Sequence, residues 1–360
     1  MKLLEVKNLV TEFSTEEGRL VAVDEISFSL EKGKILGIVG ESGCGKSVTA
    51  LSILRLVDAP GKIRSGKILY YQKPVEKEWD EPLRANADGS VDLNAVTTPK
   101  SEADKDPVLR GDAIDLLQIS EEKMLKIRGN KIAMVFQEPM TSLNPVFTVG
   151  EQIIETVQIH QGLSRKEARE KAIEMLRKVK ISDAERRVDD YPHQMSGGMR
   201  QRVMIAMALS CNPEILIADE PTTALDVTIQ AQILELMTEM VEEMQMSMIL
   251  ITHDLGVVAQ TCDQVMVMYA GKIVEDAPSE VLFKRPKHPY TLGLMDSIPQ
   301  LNRNLGEKLH TISGTVPNLM KLPSGCRFSN RCPRAVIACG ESIPRMNYVG
   351  EGQKVRCINY

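Results

Sequence analysis

Gly40-Glu-Ser-Gly-Cys-Gly-Lys-Ser47 has the spacing G-x-x-x-x-G-K-[ST], a loop suited to cradling a polyphosphate. Its glycines let the backbone curl so that successive N–H groups face inward, and a helix starting at its end adds positive potential. Lys46 can neutralise β- and γ-phosphates, and Ser47 can ligate Mg²⁺. Glu214-Ile-Leu-Ile-Ala-Asp219-Glu220 supplies two carboxylates at the end of an apolar run. Asp219 is placed to hold the metal through water, and Glu220, one residue nearer solvent, to polarise an attacking water. Standing alone, an Asp-Glu pair reads as a solvated strand end. Met248 to Ile251 delivers Thr252-His253-Asp254 in the same manner, so His253 can hydrogen-bond the γ-phosphate or the water. Gln137, after Ile132-Ala-Met-Val-Phe136, has equivalent placement and can reach Mg²⁺ through its carbonyl.

A second anion-ready turn occurs at Tyr191-Pro-His-Gln-Met-Ser196-Gly-Gly-Met-Arg-Gln-Arg202, where Ser196, Gly197 and Gly198 introduce a helix through Val203, Ala206 and Met207. One nucleotide site does not need two such termini. Two half-sites imply a sandwich between chains.

These residues require a parallel sheet to bring them together. Ile35 to Val39 reads as the strand before the phosphate loop and Val48 to Val57 as the helix after it. Leu3 to Val6 and Ile26 to Leu30 add strands to a β-containing start. Ile215 to Ala218, Met248 to Ile251 and Val265 to Tyr269 are short apolar runs fit to be covered on both faces, and a helical stretch from Thr228 to Met244 separates the first two. Strand, helix, strand means a parallel sheet. Ser164-Arg-Lys-Glu167 has the form of a capping box, and residues 150–212 read as helix-rich. The Met-rich stretches around 199–207 and 238–248 read as core filler, and 73–110, with nine acidic and six basic residues, as a surface insertion.

At 360 residues, 43% hydrophobic and 26% charged, the chain is too large to be a small stapled scaffold and too apolar for wholesale disorder. A net charge of -5 disfavours a polyanion-coating role. No apolar run reaches the roughly 18 residues of a membrane span, and the chain reads as cytosolic and untargeted. Of seven cysteines, Cys44, Cys211 and Cys262 are scattered, the last two reading as buried small hydrophobes. Cys326, Cys332, Cys339 and Cys357 crowd the tail, which from residue 321 carries seven basic against two acidic residues. Such clustering points to metal chemistry more than to disulfides in a reducing compartment. Four thiolates suit zinc or an iron–sulfur cluster, although C-x5-C-x6-C-x17-C is not the paired spacing of common zinc sites. The basic excess offsets the charge of a cluster, and equally fits a membrane-facing or nucleic-acid-facing patch.

Over about residues 1–285 the chain resembles the ATP-binding cassette family, with the phosphate loop, Gln137, Ser196-Gly-Gly, Asp219-Glu220, Ala224-Leu-Asp226 and His253 in that family's order. Phe136-Gln-Glu-Pro-Met-Thr-Ser-Leu-Asn-Pro145, the Ser196 to Arg202 signature and Lys287-His-Pro-Tyr-Thr291 look like the ATPase subunits of dipeptide and oligopeptide importers. Met199 replaces the Gln of the broader signature and is usual in this branch, whereas the 73–110 insertion departs from the expected pattern.

The resemblance implies an α/β fold: a RecA-like P-loop NTPase core with a β-rich edge subdomain, a helical subdomain near 140–212 and a small Cys-rich C-terminal extension over 286–360. It implies ATP and Mg²⁺ as ligands, with nucleotide contacts from Ser42, Gly43, Cys44, Gly45, Lys46, Ser47 and Val48, and Mg²⁺ held by Ser47, Gln137 and Asp219. Glu220, His253 and Gln137 become the catalytic set. Phe13 lies where the family places an aromatic on adenine, though a strand would use a Phe for packing just as readily. Asp226 joins the nucleotide contacts, and Ser196, Gly197 and Gly198 would complete the site of a second cassette paired head to tail, either another copy or a distinct ATPase subunit. Gln137 would couple hydrolysis to a groove, near Gln137 to Val149, for the membrane-spanning subunit. Further implications are a 4Fe-4S cluster at the four tail cysteines, with Zn²⁺ as the alternative, an indirect peptide-binding protein, and a peripheral position on the cytoplasmic face of the membrane. A cassette acting on nucleic acid is a competing class, but the chain lacks sustained heptads and no nucleic-acid partner is expected. A redox module built on the tail would require a partner of matched potential.

Overall fold

The structure, a computed structural model, describes residues 1–72, 108–109, 113–137, 142–223, 225–297 and 312–360. The expected insertion at 73–110 lies outside the described residues except for Val108 and Leu109. In chain order the strands are β1 (Lys2–Thr15), β2 (Gly18–Glu31), β3 (Ile35–Val39), β4 (Gly61–Tyr71), β5 (Val108–Leu109), β6 (Ala113–Asp115), β7 (Ile132–Val135), β8 (Ile215–Asp219), β9 (Ser247–Ile251), β10 (Gln264–Tyr269), β11 (Lys272–Pro278), β12 (Asn347–Gly350) and β13 (Gln353–Val355).

They form two sheets. The first is antiparallel, in the order β2-β1-β4-β6-β5, and is the β-rich edge expected from the opening residues, with β1 and β2 much longer than the two apolar runs suggested. The second has the order β12-β13-β11-β10-β3-β9-β8-β7, and its members β10, β3, β9, β8 and β7 are parallel. Side chains alternate between the faces of the parallel strands, as a period of two demands. Ile35, Val39, Leu216, Ala218, Met248 and Leu250 enter one core together with the helices, whereas Leu36, Ile38, Ile215, Ile217, Ile249 and Ile251 enter the other beneath the antiparallel sheet. Both faces being covered explains why these strands read as continuous apolar runs.

The helix-rich segment resolves into Val149–Gln161, Arg165–Lys178, Ala184–Arg187 and Gly197–Leu209. The box at Ser164 and Glu167 is formed, and Thr148 with Glu151 builds a second one. The helix read from Thr228 runs Val227–Glu243. Met204, Met237, Met240, Met246 and Met248 are buried, and Cys211 and Cys262 are buried too, so these residues fill the core as expected.

The tail holds a feature that the sequence reading passed over. Gly350-Glu-Gly352, all with positive φ, closes a hairpin of β12 and β13, and β13 pairs with β11 through Glu275↔Val355 and Asp276↔Lys354. The C-terminal residues therefore extend the core sheet itself. Gln353 Nε2 donates to Glu275 Oε1 at 2.8 Å beneath this junction.

Candidate active site

Strand β3 ends at Val39 and the helix Lys46–Ile53 begins six residues after Gly40, so the intervening loop turns at the C-terminal edge of the parallel sheet. Ligands collect at such edges in open α/β sheets. The turn is possible only with glycine at two positions. At Gly40, φ is +152° and a Cβ would lie 2.2 Å from the Met268 carbonyl; at Gly45, φ is +102° and a Cβ would lie 2.3 Å from the Ala22 carbonyl. Lys46 is buried, its Nζ donating to the carbonyls of Gly40 (2.9 Å) and Glu41 (3.2 Å). Val48 is partly buried against the core beneath the antiparallel sheet, and Cys44 is fully buried with its thiol pKa pushed up by desolvation.

Strand β8, separated from β3 by β9 in the sheet, supplies the carboxylates. Ser47 Oγ donates to Asp219 Oδ1 at 3.0 Å. Burial pushes the Asp219 carboxyl above its usual range and the charge of Glu220 adds to this, while the Ser47 hydroxyl draws it back. The Ser47 hydroxyl and the Asp219 carboxylate thus meet, oxygen donors suited to a hard cation such as Mg²⁺. Glu220 adopts φ 45°, its N–H donating to the Ile251 carbonyl at 2.9 Å. That left-handed turn swings its side chain out of the strand direction. Glu220 Oε2 accepts from Gln137 Nε2 at 3.1 Å and from Thr223 Oγ1 at 2.9 Å, and lies 3.5 Å from His253 Nδ1. Lys46 Nζ stands 4.0 Å from Glu220 Oε1.

The fold therefore brings Lys46, Ser47, Gln137, Asp219, Glu220 and His253 to one place from four strand ends. Thr223 was not singled out from the sequence; it stands three residues after Glu220 on the same turn, a spacing that a search for second donors to that carboxylate would find. Gln137 meets Glu220 through its amide nitrogen, where the sequence reading gave a role to its carbonyl.

Other expected residues lie elsewhere. Ser196 caps the helix Gly197–Leu209, its Oγ accepting from Met199 N at 3.3 Å. A Cβ at Gly198 would come within 2.9 Å of Ile229, and one at Gly197 within 3.6 Å of Leu225. Asp226 caps the helix Val227–Glu243 by accepting from Ile229 N at 2.9 Å. No hydrogen bond or ion pair among the described residues joins Ser196 or Asp226 to the Lys46 cluster. Phe13 is half-buried in β1, opposite Leu20 and Gly61, and its ring covers the α-carbon of Gly61.

The tail cysteines share one neighbourhood. Cys339 and Cys357 are buried, Cys326 N–H donates to the Cys339 carbonyl at 2.7 Å, and desolvation raises the Cys326 thiol pKa with added contributions from Cys339, Cys357 and Cys332. All four are free thiols. Among the described residues no group of three or more His, Cys, Asp or Glu side chains is arranged to hold a metal ion, so the expected metal centre is not formed by the side chains as they stand.

Comparison with known proteins matches this geometry. The family profile described as "ABC transporter" matches residues 23–223, and "Oligopeptide/dipeptide transporter, C-terminal region" matches residues 274–339. The chain is 49% identical over 356 residues to a probable peptide ABC transporter ATP-binding protein, y4tR, of Sinorhizobium fredii, covering 99% of this chain and 94% of the relative. It is 48% identical over 358 residues to the oligopeptide transport ATP-binding protein AppD of Bacillus subtilis, covering 99% and 97%. Among solved structures, a dimeric post-hydrolysis state of the ATP-binding cassette MJ0796 bound to ADP and Pi is similar with a TM-score of 0.58 at 25% identity, covering 77% of this chain and 98% of that one. The cassette cbiO1 of Clostridium perfringens, from the cbiONQ transporter complex, has a TM-score of 0.55 at 24% identity, covering 79% and 91%, and speaks for the fold alone.

Proposed function

Because the chain belongs to the ATP-binding cassette family of ABC transporters, we propose that it is the ATP-hydrolysing subunit of an importer for dipeptides or oligopeptides, acting with membrane-spanning permease subunits. The observation that carries this reading is the joining of two features in one chain: a phosphate loop facing Asp219 and Glu220, and a tail matched over 274–339 to the oligopeptide/dipeptide transporter C-terminal region. No helix among the described residues is long and apolar enough to cross a membrane, so the permease must supply the path. The subunit associates peripherally, at the cytoplasmic face.

In this reading the residues divide the work as follows. Ser42 to Val48 wrap the phosphates with backbone N–H groups, and Lys46 leaves the carbonyls of Gly40 and Glu41 to meet the β- and γ-phosphates. Ser47, Asp219 and Gln137 would hold Mg²⁺, which when bound supplies charge neutralisation of the phosphates. Glu220 orients and deprotonates water, held in place by Gln137 and Thr223, while His253 contacts the γ-phosphate. Phe13 stacks on the adenine from β1. Two cassettes pair head to tail, as a homodimer or with a distinct ATPase subunit, Ser196, Gly197 and Gly198 complete the partner's site, and Asp226 contributes to nucleotide binding.

In the same reading the cassette spans 1–285, with its helical part near 140–212 and its insertion at 73–110, and the extension spans 286–360. The crowding of Cys326, Cys332, Cys339 and Cys357 in the tail sequence favours a 4Fe-4S cluster there, with Zn²⁺ as the alternative; the thiols would have to turn toward one another to ligate either, and no catalytic step passes through it.

Co-purification with the permease subunits in a membrane, followed by a screen for the solute that stimulates ATP hydrolysis, tests the transport reading. Stimulation by short peptides delivered through a binding protein is expected. Stimulation by nucleic acid, with none by peptides, refutes it. Iron, zinc and visible-absorption analysis of anaerobically purified chain tests the tail centre, and a colourless protein free of both metals rejects it.

A further inference from the structure

The first residue after Gly40 is tied to the far end of the chain. Glu41 is held on three sides. Its carboxylate receives a bidentate pair from Arg331, Nη1 to Oε2 at 2.7 Å and Nη2 to Oε1 at 3.0 Å, across 290 positions of sequence. Its N–H donates to Tyr290 Oη at 2.9 Å. Its carbonyl accepts from Lys46 Nζ at 3.2 Å. Each contact belongs to a different element, and only the last is local.

Arg331 itself is anchored. Its side chain is 5% exposed, its Nε donates to the Ser313 carbonyl at 3.1 Å, and its guanidinium lies 5.8 Å from the centroid of Tyr269 and 6.0 Å from that of Phe328. The hydrogen bonds to Glu41 push its pKa up further, so it is charged at every accessible pH. Tyr269, Tyr290 and Phe328 pack mutually with centroids 4.6 to 5.4 Å apart, and all three are buried. Tyr290 is fixed in turn by the buried His288, whose Nδ1 accepts from Tyr290 N at 3.1 Å. A planar, always-charged fork on an aromatic platform is a rigid partner for a carboxylate, and a bidentate pair fixes orientation as well as distance.

We propose that Arg331 and Tyr290 are positioning residues for nucleotide binding, acting through Glu41 to hold the start of the phosphate loop, and with it the carbonyls on which Lys46 rests, in the binding-competent shape. A loop held this way loses less conformational freedom when it closes on a triphosphate, so the anchoring appears as affinity. Releasing Glu41 frees the first turn of the loop at the residue between Gly40 and the amides that face the phosphates. The tail would thereby be part of the ATP site without touching ATP.

This rests on the reading that Gly40 to Ser47 binds the phosphates, and the experiment separates the two. ATP affinity is measured on the full chain by titration with a fluorescent ATP analogue, beside steady-state hydrolysis in the complex with permease subunits. The variants are Arg331→Met, which keeps the apolar stem, Glu41→Gln, Arg331→Met/Glu41→Gln together, and Lys46→Ala. Each single clamp variant is expected to raise the ATP Kd and KM about five- to tenfold, the upper end being about 1.4 kcal/mol, with the loss falling on KM and kcat at saturating ATP within about twofold of the parent. The double variant is expected to be no worse than the worse single one, since either change breaks the same link. Should Arg331→Met fail to fold, Glu41→Gln, at a partly exposed residue of nearly unchanged shape, carries the test alone. Parental ATP affinity in Glu41→Gln, or penalties that multiply in the double variant, overturns the proposal. Parental affinity in Lys46→Ala overturns the phosphate-loop reading instead.

Discussion

Glu220→Gln isolates the charge of the residue placed to activate water. The amide keeps the shape of the side chain and its left-handed backbone at φ 45°, so the turn should survive. Three groups face Glu220 Oε2: Gln137 Nε2 at 3.1 Å, Thr223 Oγ1 at 2.9 Å and His253 Nδ1 at 3.5 Å. A glutamine can still accept from Gln137 or Thr223 with its carbonyl oxygen, but it cannot take a proton. A positioned general base contributes about 10²–10⁴-fold to rate. At about 1.4 kcal/mol per decade this raises the barrier by roughly 3–5 kcal/mol. ATP affinity should not fall, because Lys46 and the loop amides remain and one negative charge leaves the neighbourhood of an incoming triphosphate. The assay pairs phosphate release at saturating MgATP with a binding titration on the same preparation. Turnover within about threefold of the parent would refute Glu220 as the base. A loss of binding of the same size as the loss of turnover would show that the carboxylate holds the loop.

Three further outcomes are expected. Gly45→Ala places a Cβ 2.3 Å from the Ala22 carbonyl at φ +102°, a strain of about 1–3 kcal/mol, so ATP affinity should drop about tenfold or more in a titration of the folded variant. Gln137→Ala removes a donor that orients Glu220, and kcat at saturating MgATP should fall about tenfold, with the Kd for ATP titrated without Mg²⁺ within about twofold. His288 is buried beside Arg356, and desolvation first, then that positive charge, lower its pKa from 6.5 to about 3. The folded chain therefore binds fewer protons than the unfolded one between those values, so this residue's contribution is fully present above pH 6.5 and is lost as pH falls toward 3, by at most about 1.4 kcal/mol per unit. In His288→Gln that slope should vanish. Comparing urea unfolding of parent and variant at pH 7.5 and 5.5 separates it from Glu275, whose buried carboxyl is pushed up and contributes with the opposite sign. An identical difference at both pH values would show that His288 is not held neutral.

What the sequence disclosed follows from how local each cause is. The phosphate loop is legible because its glycines and Lys46-Ser47 lie within eight positions and the backbone demands them there. The parallel strands are legible because burial on both faces leaves five-residue runs such as Ile35–Val39 with no polar position. Phe13 was ambiguous because stacking on a base and covering Gly61 ask the same thing of a side chain. The hold of Arg331 on Glu41 was illegible because it joins residues 290 apart and either, alone, is an ordinary charged residue. The tail hairpin was hidden for another reason: β12 and β13, of four and three residues, are too short to show an alternating pattern on either side of Gly350-Glu-Gly352, the turn that carries β13 to the sheet. The arrangement of those thiols was likewise beyond spacing alone, which counts donors without saying where their sulfurs point.

That hairpin has a bearing on biosynthesis. A growing polypeptide folds from its start at about 5–20 residues per second, yet Lys354 and Val355 pair with Asp276 and Glu275. Until those late residues leave the ribosome, β11 presents an unpaired margin, open to association with any neighbouring nascent strand. A chain lacking Gln353–Val355 should accordingly clump through that margin, rather than behave as a merely shortened enzyme.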